Sequence, residues 1–205
     1  MEHIKYYILS LFIVLVDQIS KLMVHLNMDL GEEIEVLGDW FRLHYVLNPG
    51  IAFGLQFDFI YGKLMLSIFR ILAAAGIAYY LYFLAKRKTH SSLLISLSLI
   101  LAGALGNVID STFYGVILDN APGNAVSPWF HGQVIDMLYF PLFNGTFPEW
   151  LPIWGSQGFQ FFRPVFNIAD ASIFVGVTFI LVLQKRFVLA ESSSHGEVVF
   201  KTKSF

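Results

Sequence analysis

The chain contains no cysteine, which removes a thiol nucleophile, a disulfide framework and thiolate metal ligation from the functions open to it. Charge is also scarce. Thirteen Lys and Arg stand against 15 Asp and Glu, 14% of 205 residues with a formal net charge of −2, and the cations fall in short clusters rather than a stripe, so nucleic acid is not a partner. The six histidines, His3, His25, His44, His90, His131 and His195, are scattered. No HExxH or comparable ligand spacing appears, so the pattern asks for no metal and no cofactor. Proline is sparse and localised: six of the seven, Pro122, Pro128, Pro141, Pro148, Pro152 and Pro164, lie in one stretch.

What the chain does have is apolar surface. It is 56% hydrophobic and 17% aromatic, with a mean hydropathy of +0.64, beyond the 45–50% apolar content usual in soluble domains. Four stretches are candidates to cross a bilayer, at about 6–26, 64–85, 93–118 and 165–183, near the ~20 residues a span needs. The first lacks a small-residue cleavage site and stays apolar beyond Lys21, so it reads as a retained span rather than a signal peptide. Lys86, Arg87 and Lys88 join spans two and three, Lys185 and Arg186 follow span four, and Lys5 precedes span one. The positive-inside rule makes those sides and both termini cytoplasmic.

Residues 27–63 and 119–164 are then extracytoplasmic. In the first connection Ile34 and Val36 alternate with polar residues and Trp40–Leu47 is aromatic and branched, the pattern of a short sheet. The second carries Trp129, Phe130, Trp150, Trp154, Phe159, Phe161 and Phe162 between its prolines, which suits a loop lying at the headgroup level. Residues 186–205 form a cytoplasmic tail whose end, Glu191–Phe205, has no long apolar face and reads as mobile. The expected architecture is mainly α, a single polytopic membrane domain with four spans, a small external sheet and a long aromatic outer loop.

Carboxylates inside such a protein need a reason, since each costs roughly 2.5–3.5 kcal/mol at the centre of a span. Asp170, in FNIADASIF, is the first to explain, and Asp136, in GQVIDML, is the candidate to meet it and share one proton. Asp17, Asp110 and Asp170 all fall toward the outer leaflet; Asp110 is ~25 Å along its helix in a core ~30 Å thick. The repeated Asn-x-x-Asp of GNVID and FNIAD sets Asn107 with Asp110 and Asn167 with Asp170, so an amide could hold the neighbouring carboxylate or a substrate backbone. Lys21 shares a face with Asp17 and has the length to reach the headgroups. Gly103 and Gly106, with Ala102, offer a close-packing helix surface. Structural readings stand beside these: Asp17 with Lys21 as an intrahelical ion pair, Asp110 as a buried hydrogen-bonding post, NPGIAFG at Asn48–Gly54 as a turn, and Asp136 as a solvated loop residue.

Five blocks in order, VDQISK at Val16–Lys21, NPGIAFG, AGALGNVID at Ala102–Asp110, GQVIDM and FNIADASI, together resemble the lipoprotein signal peptidases, the type II signal peptidases of bacteria. The resemblance spans most of the chain through Leu183. It implies four transmembrane helices, an extracytoplasmic β-cradle and an active site near the outer face of the inner membrane. It further implies an aspartyl endopeptidase with Asp136 and Asp170 as the catalytic pair and Asp17, Lys21, Asn48, Gly50, Asn107, Asp110 and Asn167 in support. The implied substrate is a diacylglyceryl-modified prolipoprotein cleaved on the amino side of its lipidated cysteine. Membrane lipids and cyclic peptide inhibitors are the other implied partners, with a monomeric enzyme and no cofactor. Two features depart from the family pattern. Ser111 stands where the family usually has Arg, so a cationic contact is either missing or supplied by Arg163 or Lys21, and the aromatic connection between Asp136 and Asp170 is enlarged.

Two rival readings follow from the same residues. Asp17, Asp110 and Asp170 could form the relay of a small proton-coupled transporter or channel, although such proteins place their sites near the midplane and show repeated halves. A Ser20–Lys21 dyad fails because helical neighbours point about 100° apart.

Overall fold

The computed structural model describes residues 3–50, 61–87, 89–152, 155–161 and 164–201, with side chains described except at 143, 144, 159–161 and 185–201. Residues 51–54 of the NPGIAFG block, Lys88, Trp154, Phe162 and Arg163 lie outside the described residues, as do the side chains of Phe159, Phe161, Lys185 and Arg186. In chain order the elements are α1 (Ile4–Asn27), β1 (Glu33–Leu37), β2 (Phe41–Asn48), α2 (Gly62–Lys86) and α3 (Ser91–Ile109). A π-helical turn (Asp110–Tyr114) and α4 (Gly115–Ile117) continue α3. They are followed by β3 (Val134–Tyr139), β4 (Phe143–Thr146), β5 (Gly158–Phe161), β6 (Val165–Phe166) and α5 (Ile168–Lys201).

Among the described residues three helices are long and apolar enough to cross a membrane: Ile4–Asn27, Gly62–Lys86 and Ser91–Ile117. The apolar part of α5, Ile168–Gln184, is shorter. Two details correct the sequence reading. The third stretch is not one regular helix, because it changes to a π turn at Asp110. The fourth helix begins at Ile168, since Val165–Phe166 pairs as a strand. Within the segment expected as a tail, the backbone is helical as far as Lys201.

The chain forms two compact units, Met1–Leu15 with Ile68–Val108 and Ala169–Phe205, and Val16–Ser67 with Ile109–Ile168. In the first, Tyr6, Leu81, Leu84, Ala85, Leu94, Leu97 and Leu101 make an apolar core. Its helices are joined by hydroxyl-to-carbonyl bonds, Ser10 to Ser98 at 2.8 Å, Tyr7 to Ala78 at 2.9 Å and Ser172 to Leu99 at 2.6 Å, the kind of cross-helix bond that serves where lipid gives no hydrophobic drive. Gly103 provides the close approach expected of it: a Cβ there would run into the Ala169 backbone. Large apolar side chains, among them Ile8, Leu11 and Phe12 on α1 and Phe69, Leu72 and Tyr79 on α2, are exposed, and in a spanning protein that surface faces acyl chains.

The second unit holds an antiparallel sheet in the order β1-β2-β3-β6 and a separate β4-β5 hairpin. Val24, Met28, Tyr45, Tyr114, Ile135 and Met137 form its core. Burial pushes the Tyr45 phenol above its ordinary pKa, so it stays protonated where it meets His25 Nδ1 at 2.8 Å. The β2–β3 register shifts between Leu43 and Val46, immediately before Val46 faces Asp136. Such irregularities re-aim side chains beside functional sites.

Candidate active site

Asp136 sits in the middle of β3, whose residues are almost all buried, and is itself 3% exposed. The solvated-loop reading of this residue is therefore wrong. Its desolvated carboxylate must be hydrogen-bonded, and both oxygens are. Asn167 Nδ2 donates to Oδ1 at 2.7 Å and Asn48 Nδ2 to Oδ2 at 3.0 Å. Each amide is itself fixed. Asn167 Nδ2 also lies 3.3 Å from the Ile135 carbonyl, and the Gly50 N–H donates to Asn48 Oδ1 at 2.8 Å, which turns the amide nitrogen toward Asp136. Gly50 has φ +96°, a conformation that favours glycine. That requirement accounts for the glycine of Asn48-Pro49-Gly50, whose N–H aims the Asn48 amide at Asp136; the turn reading of the rest of the motif lies outside the described residues.

Asp170 lies in the first turn of α5, where the helix N-terminus favours negative charge. Asn107 Nδ2 donates to its Oδ1 at 2.8 Å. The amides of the two Asn-x-x-Asp motifs reach across the chain: Asn107 serves Asp170, and Asn167, just before the first helical residue, Ile168, serves Asp136.

A third group gathers the supporting residues of α1. Lys21 Nζ is 2.7 Å from Asp17 Oδ2 and 2.7 Å from Asp110 Oδ2, with all three side chains buried. Gln18 Nε2 donates to Asp17 at 3.1 Å and Asp110 at 2.9 Å, and its carbonyl accepts from the Tyr114 hydroxyl at 2.9 Å. Asp17 and Lys21 are the intrahelical pair expected, and Asp110 is the buried post. The expectation that Lys21 reaches the headgroups is overturned: two carboxylates hold its ammonium inside. Ser111, which follows Lys21's partner Asp110, is itself fully buried. Ser20, the other half of the rejected dyad, donates to the Asp17 carbonyl at 2.7 Å.

Gln18 and Tyr114 were not singled out from sequence. The signal was present at Tyr114, four residues after Asp110 and so close to its helical face, but a lone tyrosine at the end of an apolar run suggests lipid contact first. Among the described residues no group of three His, Asp or Glu could hold a metal ion.

A family model described as signal peptidase II matches residues 9–185. The chain belongs to the signal peptidase II family. Curated relatives agree. The chain is 51% identical over 185 residues to a lipoprotein signal peptidase of Amoebophilus asiaticus, covering 89% of this chain and 78% of that one. It is 44% identical over 190 residues to a lipoprotein signal peptidase of Porphyromonas gingivalis, covering 88% and 82%. The fold is similar to that of a bacterial membrane enzyme solved by the in meso method, with a TM-score of 0.57, 24% identity and 88% of each chain covered. Family membership makes the protein a peptidase, and nothing in these matches supports a transporter.

Proposed function

We propose that this peptidase removes the signal peptide from diacylglyceryl-modified prolipoproteins, cutting on the amino side of the lipidated cysteine with Asp136 and Asp170 as its two catalytic carboxyls. The observation that carries the reading is the amide support of both groups: Asn48 and Asn167 on Asp136 at 3.0 and 2.7 Å, and Asn107 on Asp170 at 2.8 Å. An amide steadies a carboxylate in one orientation without committing it to a permanent counter-charge. The chain itself links the two aspartates, since Asn167, the donor to Asp136, precedes Asp170 by three residues. The name shared by the relatives supplies the substrate class.

In the mechanism one carboxyl works ionised and the other protonated, as two acids acting on one water do. The ionised member takes a proton from water, whose oxygen attacks the scissile carbonyl, and the protonated member donates to the developing oxyanion. Collapse of the tetrahedral adduct breaks the C–N bond: the departing nitrogen receives the proton taken from water, and the second carboxyl recovers its proton from the new carboxyl group. Substrate and enzyme share the bilayer, so the membrane itself provides proximity.

The proposal includes four spans, with Ile168–Gln184 as the last, both termini in the cytoplasm and the site near the outer face of the inner membrane. Its support is the placement of cations. Lys86 and Arg87, at the end of α2, lie over the rings of Tyr82 and Phe83 at 4.5 and 4.0 Å, aromatic and basic partners typical of a membrane boundary.

The test uses Asp136→Asn and Asp170→Asn in the full chain, with bilayer insertion confirmed and processing of a lipidated precursor measured. Each is expected to lower turnover by about 10²–10⁴-fold, the range lost with a general acid or base. Normal turnover in either variant ends the two-carboxylate mechanism.

A further inference from the structure

The turn Pro128–Gly132 is fastened to the end of the third span by its backbone. The Phe130 N–H donates to the Thr112 carbonyl at 3.2 Å and the Gly132 N–H to the Ser111 carbonyl at 3.0 Å. From α2, Ser67 Oγ donates to the Phe130 carbonyl at 2.6 Å. A Cβ on Gly132 would strike the Asp110 carbonyl, and one on Gly115 the Pro128 carbonyl. Phe130 itself has φ +64°, which a bulky L residue adopts only when its surroundings impose it.

This fastened turn holds Trp129 outward. The indole is 48% exposed and meets Phe113 edge-on, with ring centroids 6.0 Å apart. Phe113, Val116 and Ile117 are exposed at the end of the same span, so Trp129 continues an apolar surface that faces lipid. The apolar stretch Ser91–Ile117 has 27 residues, more than the ~20 a bilayer crossing needs. Phe113 stands four residues before its end, which puts Trp129 where acyl chains give way to headgroups. An indole, apolar in body with one N–H donor, prefers that depth. From Ala121 to Gly132 the chain has no Asp, Glu, Lys or Arg, so the surface has no charge with which to select a charged protein partner.

We propose that Trp129 is an anchor in the headgroup layer and, through its turn, a positioning residue for Asp136. Gly132 abuts Asp110, whose carboxylate Lys21 holds, and β3 begins at Val134 and carries Asp136. The depth of Trp129 in the lipid therefore sets the level at which the strand of Asp136 leaves the span. Only this second half rests on the peptidase reading.

The test uses the full chain in phosphatidylcholine bilayers. Its four tryptophans allow a form with Trp40, Trp150 and Trp154 replaced by Phe, so that fluorescence reports Trp129 alone. Lipids brominated near the glycerol end of the acyl chain are expected to quench it more than lipids brominated near the chain terminus. Absence of quenching by either, or stronger quenching by the deep bromines, overturns the anchor. For positioning, Trp129→Ser is expected to lower kcat on a lipidated precursor about tenfold, within the range that misplacement of about 1 Å can cost. KM should stay within about twofold, and Trp129→Tyr should restore the rate. Unchanged kcat in Trp129→Ser overturns the positioning role, as does a Trp129→Tyr protein that folds and shows the full serine defect. Full activity in Asp136→Asn would instead remove Asp136 from the catalytic pair, and with it the positioning half, and leave the quenching result standing.

Discussion

Asp110 and Asp136 are buried carboxylates of the same unit held by opposite means. Asp110 takes an ammonium, Lys21 Nζ at 2.7 Å, and a Gln18 amide at 2.9 Å. Asp136 takes two amides, from Asn167 and Asn48. In the first arrangement one ammonium is shared by two carboxylates, so the charges tie α1 to the turn that follows α3. The second supplies neutral donors, which favour the ionised form but leave no buried cation behind when the carboxyl takes up a proton. A carboxyl that must exchange protons is better served by the second, and one that must hold helices together by the first. The chain uses both within one fold, and on the proposed mechanism the contrast separates a structural acid from a catalytic one.

The largest effect on folding should come from the ammonium. Lys21→Met leaves Asp17 and Asp110 buried without a cation, and breaking a buried pair in this way costs roughly 3–5 kcal/mol. A large fall in the thermal midpoint in detergent is expected. Replacing Asp17 and Asp110 by Asn in the same chain should recover much of it, since the uncompensated charges are then gone. A midpoint unmoved by Lys21→Met would erase the distinction between the two acids.

A smaller effect, and on rate rather than folding, should follow from the amides. Hydrogen bonds to charged groups contribute about 1.5–3 kcal/mol, so Asn167→Ala should lower kcat about 10–100-fold at nearly constant midpoint. Asn48→Ala should do less, because its bond is longer, 3.0 against 2.7 Å, and Asn167 is the more fully buried of the two. If Asn167→Ala lowers the midpoint as Lys21→Met does and leaves the rate per folded molecule intact, Asp136 is a post like Asp110.

Much of this was legible in the sequence where the physics is local. Three long apolar helices follow from hydropathy alone, and β1 from the alternation of Ile34 and Val36. β3 could not be read the same way: both its faces are covered, so Val134–Tyr139 shows no alternation and looks like the approach to another apolar run. β6 is two residues long and was absorbed into the fourth span. The five motifs name the candidate residues but not their partners. That Asn107 reaches Asp170, 63 residues away, is not readable from spacing. Lys21 was assigned to the headgroups because a long cation near a helix end normally goes there, and only the tertiary arrival of Asp110 reverses that. The candidate residues are readable as identities; their pairings belong to the packed structure.

The comparison can be sharpened once more with an ion cluster that water reaches. On the β1–β2 hairpin Arg42 lies 3.2 Å from Glu33, 3.2 Å from Glu35 and 3.8 Å from Asp39, more acidic neighbours than Lys21 has, and they hold its guanidinium above the ordinary range, the Glu33 hydrogen bond most of all. By number of partners, Arg42→Ala should be the worse substitution. Solvent screening argues the reverse, because exposed pairs gain little over hydration and weaken further with salt. The expected outcome is no resolvable change in thermal midpoint at 0.15 M salt and at most a small fall at low salt, beside the large fall for Lys21→Met. An equal loss for the two would mean that counting ion pairs suffices and burial decides nothing.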